Sequence, residues 1–245
     1  MSLFSNNLSL KSKQNVAIVV AMLMLSALAW VITINPELIF ASQLYTGGIT
    51  DLLVFVFIWT IMMAAMMLPS LIPMVLLYIP ASQSRKEIGF KAAPSSIFVS
   101  GYLTSWAMIG LGLYFIKQTG FTLSGNGNPI FIGSALMLSG FYQVTRWKEL
   151  CLGHCRTPLH FLMNEWKDGY GGAFQMGIQH GLYCVGCCWS LMLAQVVLGM
   201  MNLGWMGLVA TIILIEKIFP KGDQIAKYAG AGLMLSGLGL IVVGS

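Results

Sequence analysis

Long uncharged runs alternate with short charged segments along the whole chain. The uncharged runs cover residues 14–36, 52–84, 92–116, 118–145, 169–215 and 228–245. A helix needs about 20 apolar residues to cross the roughly 30 Å of bilayer hydrocarbon. The run at 169–215 is long enough for two crossings, and Asn202 and Gly204 interrupt it where a turn is expected. The pattern therefore predicts seven membrane-spanning helices, at about 16–34, 54–79, 97–116, 129–145, 173–200, 204–219 and 228–244.

Composition supports this interpretation and excludes a soluble globular protein. The chain of 245 residues is 57% hydrophobic and 9% charged, with a mean hydropathy of +0.80, whereas soluble domains carry about 25% charged residues. We predict an all-α polytopic membrane helix bundle, with an N-terminal tail at 1–15 and one integral membrane domain at 16–245. A cleaved signal peptide is the alternative for the first span. Its apolar run continues to Ile34, which favours an uncleaved anchor.

The positions of the basic residues predict the orientation of the bundle. If the N-terminus lies inside, Lys117 is the only one of the 13 lysines and arginines that falls in an outer segment. Basic loops stay on the cytoplasmic side, so the N-terminal tail and the segment 146–170 are predicted to be cytoplasmic and the C-terminus to lie outside. This distribution predicts a multi-pass protein of the cell (inner) membrane. It also explains the net charge of +5 without a nucleic-acid partner.

The fifth predicted span carries one imidazole and three thiols on a single stripe. Cys184 and Cys187 lie within about 40° of His180 on a helix of 3.6 residues per turn, and Cys188 lies further round, at about 80°. Ionisable groups inside a membrane are costly and usually functional, and thiolates are soft ligands that suit Cu(I) and zinc. The alternative is helix packing, with cysteines as small core residues and two glycines four residues apart as a close-contact seam.

The segment 146–170 holds a second group of candidate ligands. Cys151 and Cys155 stand four residues apart with His154 between them, so a helical turn would place all three on one side. Their order is not that of covalent haem attachment, and the segment contains no complete four-ligand zinc motif. Cytoplasmic thiols stay reduced, which favours free ligands over a disulfide. His160 is either a further ligand or an interfacial residue.

Methionines cluster in the second span, beside two prolines that free backbone carbonyls and kink the helix. They are Met62, Met63, Met66, Met67 and Met74. A methionine stripe at helical spacing is usually adaptable core packing. The alternative is a set of thioether ligands for a soft cation, with Met66 and Met67 as the candidates.

The candidate residues occur in motifs that follow one another in a recognisable order. The motifs are Ala65-Met66-Met67-Leu68-Pro69, His154-Cys155-Arg156-Thr157-Pro158 and His180-Gly181-Leu182-Tyr183-Cys184-Val185-Gly186-Cys187-Cys188-Trp189. This series resembles an uncharacterised prokaryotic family of predicted metal-binding integral membrane proteins, over about residues 50–240. The resemblance implies a membrane fold and a bound metal ion, and it specifies neither the metal nor a mechanism.

Three functions are compatible with these residues. The first is binding, handling or translocation of a soft metal ion, with copper favoured over zinc. The second is membrane thiol–disulfide exchange, and the third is a structural subunit whose Cys/His site stabilises an assembly. No Ser/His/Asp set, paired carboxylates or P-loop motif supports an enzyme. The expected partners are the lipid bilayer and either another membrane subunit or a soluble metal-binding protein.

A single helix face rarely completes a metal site, so a further soft ligand is expected from another segment. We predict that His180, Cys184 and Cys187 point into the bundle. They should approach the methionines of the second span, or the cysteines of the cytoplasmic segment if that segment folds back. Cys188 is expected at the margin of the stripe. Glu216, at the inner end of the sixth span, is expected to cap a helix or form a salt bridge rather than to bind metal.

Overall fold

Helices form all the regular structure in the described part of the chain. The computed structural model describes residues 2–35, 48–89, 91, 93–119, 128–199, 203–219 and 221–244. These residues form α1 (Ser2–Ile34), α2 (Ile49–Glu87), α3 (Ser95–Gln118), α4 (Pro129–Gln143), α5 (Arg146–Arg156), α6 (Pro158–Glu165), α7 (Gly169–Gly199), α8 (Leu203–Ile218) and α9 (Gly222–Gly244). The prediction of an all-α fold is confirmed for these residues.

Five of the described helices, α1, α2, α3, α7 and α9, are long and apolar enough to cross a membrane. The predicted spans at 129–145 and 204–219 correspond to α4 and α8, which have 15 and 16 residues. At 1.5 Å per residue these helices are about 22–24 Å long. The hydrocarbon layer is about 30 Å thick, so neither crosses it alone as a straight helix. Seven full crossings are therefore not confirmed.

Several helices extend beyond the predicted spans. The backbone of α1 is helical from Ser2, so most of the predicted tail at 1–15 continues the first span. α2 runs for 39 residues to Glu87, through three prolines. α7 begins at Gly169, four residues before the predicted start. The turn predicted at Asn202 lies outside the described residues.

Glycines bring neighbouring helices into close contact. Between α4 and α9, a Cβ atom at Gly133 would lie 2.6 Å from the carbonyl oxygen of Gly237. Between α3 and α7, Gly177 and Gly181 lie directly against α3. Any larger side chain would separate these helices. The two glycines of the cysteine-bearing helix α7 thus form a packing seam with α3. The same helix also carries the group of three thiols, so the two features are not alternatives.

The segment 146–170, predicted to lie on the cytoplasmic side and to hold a helical turn, is helical over most of its length. It contains α5 and α6, which run back along the first half of α7. Cys151 Sγ lies beside Gly186. Further along, the Phe161 ring lies 5.3 Å from that of His180 between centroids. A proline starts α6 in its first turn, where its missing N–H costs no helical hydrogen bond.

Helices α4 and α8 both end beside the middle of α7. At the end of α4, the Tyr142 hydroxyl donates a hydrogen bond of 2.7 Å to the Gly186 carbonyl. At the end of α8, Lys217 reaches the Cys184 side chain. Because α4 and α8 stop there, α5 has room to enter the bundle and to lie against the cysteines.

Candidate metal centre

Three cysteines of α7 form a compact group of sulfur atoms. The Sγ atoms of Cys184, Cys187 and Cys188 lie within 4.8 Å of one another, and each residue is 1% exposed. Their spacing of three and four residues places them on one helix face. The Cys184 carbonyl accepts hydrogen bonds from Cys187 Sγ at 3.1 Å and from Cys188 Sγ at 2.9 Å. The expectation that Cys188 lies at the margin was wrong, because its sulfur belongs to the group.

A fourth thiol approaches from α5. The Sγ atoms of Cys155 and Cys187 lie 3.9 Å apart. Sulfur atoms that share one metal ion at about 2.3 Å each stand about 3.8 Å apart, so this pair already has ligand spacing. The predicted approach of the segment 146–170 to the cysteines of α7 is therefore present at Cys155. Cys151 is half-buried beside Gly186, outside the compact group.

The two thiols of α5 have raised pKa values. α5 is not one of the long apolar helices. Burial raises the pKa of Cys151, and the neighbouring Cys187 raises it further. The hydrogen bond with Cys187, together with burial, raises the pKa of Cys155 well above its usual range. A metal ion binds thiolates, so an ion that takes these sulfurs as ligands displaces their protons.

Polar side chains of α8 and α3 contact Cys184, and one of α2 is linked to it through Lys217. The Lys217 ammonium donates hydrogen bonds to Cys184 Sγ at 2.9 Å and to Ser70 Oγ at 3.1 Å. The Tyr102 hydroxyl oxygen lies 3.0 Å from the same sulfur. Sequence reasoning singled out none of these three as site residues. The sequence did contain one indication of Lys217, because a charged residue stands there in the last turn of an apolar helix.

His180 is buried one turn before the cysteines, in a pocket of aromatic rings. Its ring centroid lies 6.0 Å from that of Phe98, 6.1 Å from that of Tyr102 and 5.3 Å from that of Phe161. Its Nδ1 has no hydrogen-bond partner among the described residues, and a buried polar atom without a partner is costly. His180 does not belong to the compact group that the three cysteines form. Its role as a ligand stays a prediction.

His154 lies outside the sulfur group, stacked on Tyr183 with 4.3 Å between ring centroids. Its Nδ1 lies 2.9 Å from the Leu150 carbonyl oxygen. A carbonyl only accepts, so Nδ1 carries a proton, and in the neutral ring Nε2 is then the nitrogen with the free lone pair. Ligating histidines commonly have this arrangement. The ring of His160 lies 6.4 Å away, and metal binding by either imidazole stays a prediction.

Met66 and Met67 belong to the same buried cluster of side chains as the three cysteines. They are 2% and 0% exposed. Packing explains this burial without a metal. Thioether ligation by these two residues therefore stays a prediction.

A buried ion pair joins the ends of α4, α5 and α8 near the sulfur group. Lys148 Nζ donates to Glu216 Oε2 at 2.7 Å and also to Gln143 Oε1. All three residues are 1% exposed. The salt bridge expected for Glu216 is present, with Lys148 as its partner.

Comparison with known proteins assigns the chain to a family. Residues 56–240 match the PpoB2 family, which is described as copper chaperone. No curated protein and no solved structure matches the chain. The matched range contains every candidate ligand of α2, α5 and α7, and it covers well over half of the chain. The chain therefore belongs to the PpoB2 family of copper chaperones.

Proposed function

We propose that this protein is a multi-pass inner-membrane protein that binds Cu(I) through its buried thiols and passes it on by ligand exchange. One observation carries the proposal: Cys184, Cys187 and Cys188 hold their sulfurs within 4.8 Å of one another, and Cys155 adds a fourth sulfur 3.9 Å from Cys187. Clustered thiolates are the donors that soft metal ions prefer. The family description favours copper over zinc as that ion.

The route into the site supports transfer rather than permanent storage. Cys155 belongs to a short helix that lies against α7, and Cys151 and His154 stand on the same helix. An ion can pass from His154 and Cys151 to Cys155 and then to Cys187, because each step exchanges one soft or imidazole ligand for another. His180, Met66 and Met67 are the proposed further ligands within the bundle.

The membrane location rests on the five long apolar helices. We propose that the N-terminus lies in the cytoplasm, as the distribution of basic residues predicts, so that α5 faces the cytoplasmic copper supply. A copper chaperone must hand its ion to another molecule. The proposed recipient or donor is another membrane subunit or a soluble metal-binding protein with its own thiol or thioether ligands.

Metal analysis of the purified full-length protein tests the proposal. The protein is purified in detergent under anaerobic, reducing conditions, loaded with Cu(I), and compared with the double variant Cys184→Ser/Cys187→Ser. We expect stoichiometric copper with sulfur ligands by X-ray absorption in the wild type, and loss of that copper in the variant. Ala194→Ser places a hydroxyl at a buried position of the same helix and is expected to keep the copper.

Two results would contradict the proposal in different ways. A wild-type protein that binds no metal under these conditions would refute metal binding altogether. A protein that binds zinc through the same cysteines but no Cu(I) would refute the assignment of copper and leave the site in place.

A further inference from the structure

A positive charge without a carboxylate partner lies beside the compact group of sulfur atoms. Lys217 Nζ donates hydrogen bonds to Cys184 Sγ at 2.9 Å and to Ser70 Oγ at 3.1 Å. Within the described part of the chain, Lys217 belongs to none of the salt bridges. A charge that is withdrawn from water is costly unless an opposite charge neutralises it. Cys184 is therefore the contact of Lys217 that can supply such a charge.

Binding of Cu(I) gives the compact group the negative charge that Lys217 lacks as a partner. Each thiol that becomes a ligand gives up its proton, because a metal ion binds thiolates. Two thiols thus release two protons to water and take up one Cu⁺, and the loaded unit carries one net negative charge. The single positive charge of Lys217 cancels it, so the loaded unit together with Lys217 is neutral in its buried surroundings.

The contacts of Cys184 suit a thiolate that is bound to a metal. The Tyr102 hydroxyl oxygen lies 3.0 Å from the sulfur, and a thiolate only accepts hydrogen bonds, so Tyr102 and Lys217 then both donate to it. Hydrogen bonds to an ionised acceptor are about twice as strong as those between neutral groups. Hydrogen bonds of this kind around a metal ligand orient it and tune the metal site.

Ser70 holds the Lys217 ammonium in place. The Ser70 hydroxyl donates to the Met67 carbonyl at 2.9 Å, and its oxygen accepts from Lys217. Ser70 belongs to α2, whereas Lys217 stands in the last turn of α8. The ammonium is therefore held between α2 and the cysteine-bearing helix α7.

We infer that Lys217 is the counter-charge of the copper-loaded thiol group. It acts as a positioning residue that contacts the ligand Cys184, neutralises the Cu(I)–thiolate unit and so raises the affinity of the site for Cu(I). This inference rests on the proposed function, because it requires that the group binds Cu(I). While the thiols keep their protons, the cation has no negative partner. Its removal should therefore weaken copper binding without destabilising the copper-free protein.

Affinity measurements on the full chain in detergent, under anaerobic reducing conditions, test the inference. The affinity for Cu(I) is measured by competition with a chromophoric chelator, for the wild type, Lys217→Gln, Lys217→Leu and Lys217→Arg. We expect both neutral variants to bind Cu(I) about 10–100-fold more weakly, the range for loss of a contact that supports a metal ligand. Lys217→Arg keeps the charge and should recover most of the affinity. Lys221→Gln removes an exposed lysine nearby in the chain and serves as the matched control.

Thermal unfolding of the same variants distinguishes the charge from a role in folding. The neutral variants leave no unpaired charge behind, so without copper both should unfold at the wild-type temperature or above it. Added Cu(I) should raise their unfolding temperature less than that of the wild type, because stabilisation by a ligand grows with its affinity.

The outcomes separate this inference from the proposed function. If the wild type binds Cu(I) and both neutral variants keep its affinity, the role of Lys217 as counter-charge is refuted and the copper site stands. If Lys217→Arg loses as much affinity as the neutral variants, or if the copper-free neutral variants unfold well below the wild type, Lys217 has a structural role and the inference is again refuted. If the wild type binds no Cu(I), the proposed function and this inference fail together.

Discussion

Cys187 is the residue that connects the two parts of the site. Its sulfur belongs to the compact group of α7 and also lies 3.9 Å from Cys155 on α5. Cys151 stands one helical turn before Cys155 but lies in the space beside Gly186 instead, where a Cβ atom on that glycine would come within 2.8 Å of its sulfur. Two cysteines of one short helix therefore have different surroundings, although their spacing in the chain made them equivalent candidates.

This difference predicts a rank order for two matched variants. Cys155→Ser removes a sulfur at ligand distance and should weaken Cu(I) binding by about 10–100-fold or more, the range seen when even a supporting contact of a metal site is lost. Cys151→Ser should weaken it less, because its sulfur lies outside the group. Competition titration with a Cu(I) chelator measures both affinities. A larger loss of Cu(I) affinity for Cys151→Ser than for Cys155→Ser would contradict this ranking and make Cys151 the more important ligand.

At the scale of elements, the buried ion pair holds α5 against the end of α8. Lys148 and Glu216 are both 1% exposed and lie 2.7 Å apart, and Gln143 adds the end of α4. Charges are costly to bury and are kept only when they are paired. The position of α5, and with it that of Cys155, therefore depends on this pair.

Removing one charge of the pair should destabilise the protein more than removing both charges. Glu216→Gln leaves the Lys148 charge buried without its partner, and we expect a loss of about 3–5 kcal/mol in the free energy of unfolding. The double variant Lys148→Met/Glu216→Leu leaves no buried charge and should recover most of that loss. Denaturant titration followed by tryptophan fluorescence measures both. Equal losses in the single and double variants would mean that the charge pairing itself contributes little.

At the scale of the whole molecule, the segments predicted to be cytoplasmic meet at one end of the bundle. The Gly169 N–H donates to the Lys91 carbonyl at 2.9 Å, which joins the segment after α2 to the start of α7. Arg156 forms a salt bridge of 2.7 Å with Asp223, which joins α5 to the start of α9. These two contacts thus join segments that the sequence placed on the same side of the membrane.

This arrangement predicts the topology that reporters should record. A phosphatase fused after Ser245 should be active, because α9 leads away from the basic end and a C-terminus outside the cell exports the enzyme. A fluorescent protein fused at the same position should be dark. A fluorescent C-terminal fusion without phosphatase activity would place the C-terminus in the cytoplasm, and with the N-terminus inside as predicted it would require an even number of crossings.

The sequence by itself determined the fold class and most of the apolar helices, because charge depletion over about 20 residues is a local property that needs no tertiary contact to recognise. Helical periodicity likewise placed Cys184 and Cys187 on one face of α7. It set Cys188 at the margin because the angles were counted from His180, which lies outside the compact group of sulfurs. Local pattern did not reveal that 129–145 and 204–219 form only short helices, because their apolar character resembles that of a full span.

Only the tertiary structure decided what surrounds those thiols. Whether a segment between two spans folds back depends on where its neighbours end, and α4 and α8 leave the space that α5 fills. Lys217 and Tyr102 reach Cys184 from two different helices, and Ser70 of a third helix accepts a hydrogen bond from Lys217. Residues so far apart in the chain carry no shared local signal. The sequence determined which residues were available as ligands; the packing of the helices determined which of them meet, because contacts between distant segments depend on shape and burial rather than on spacing along the chain.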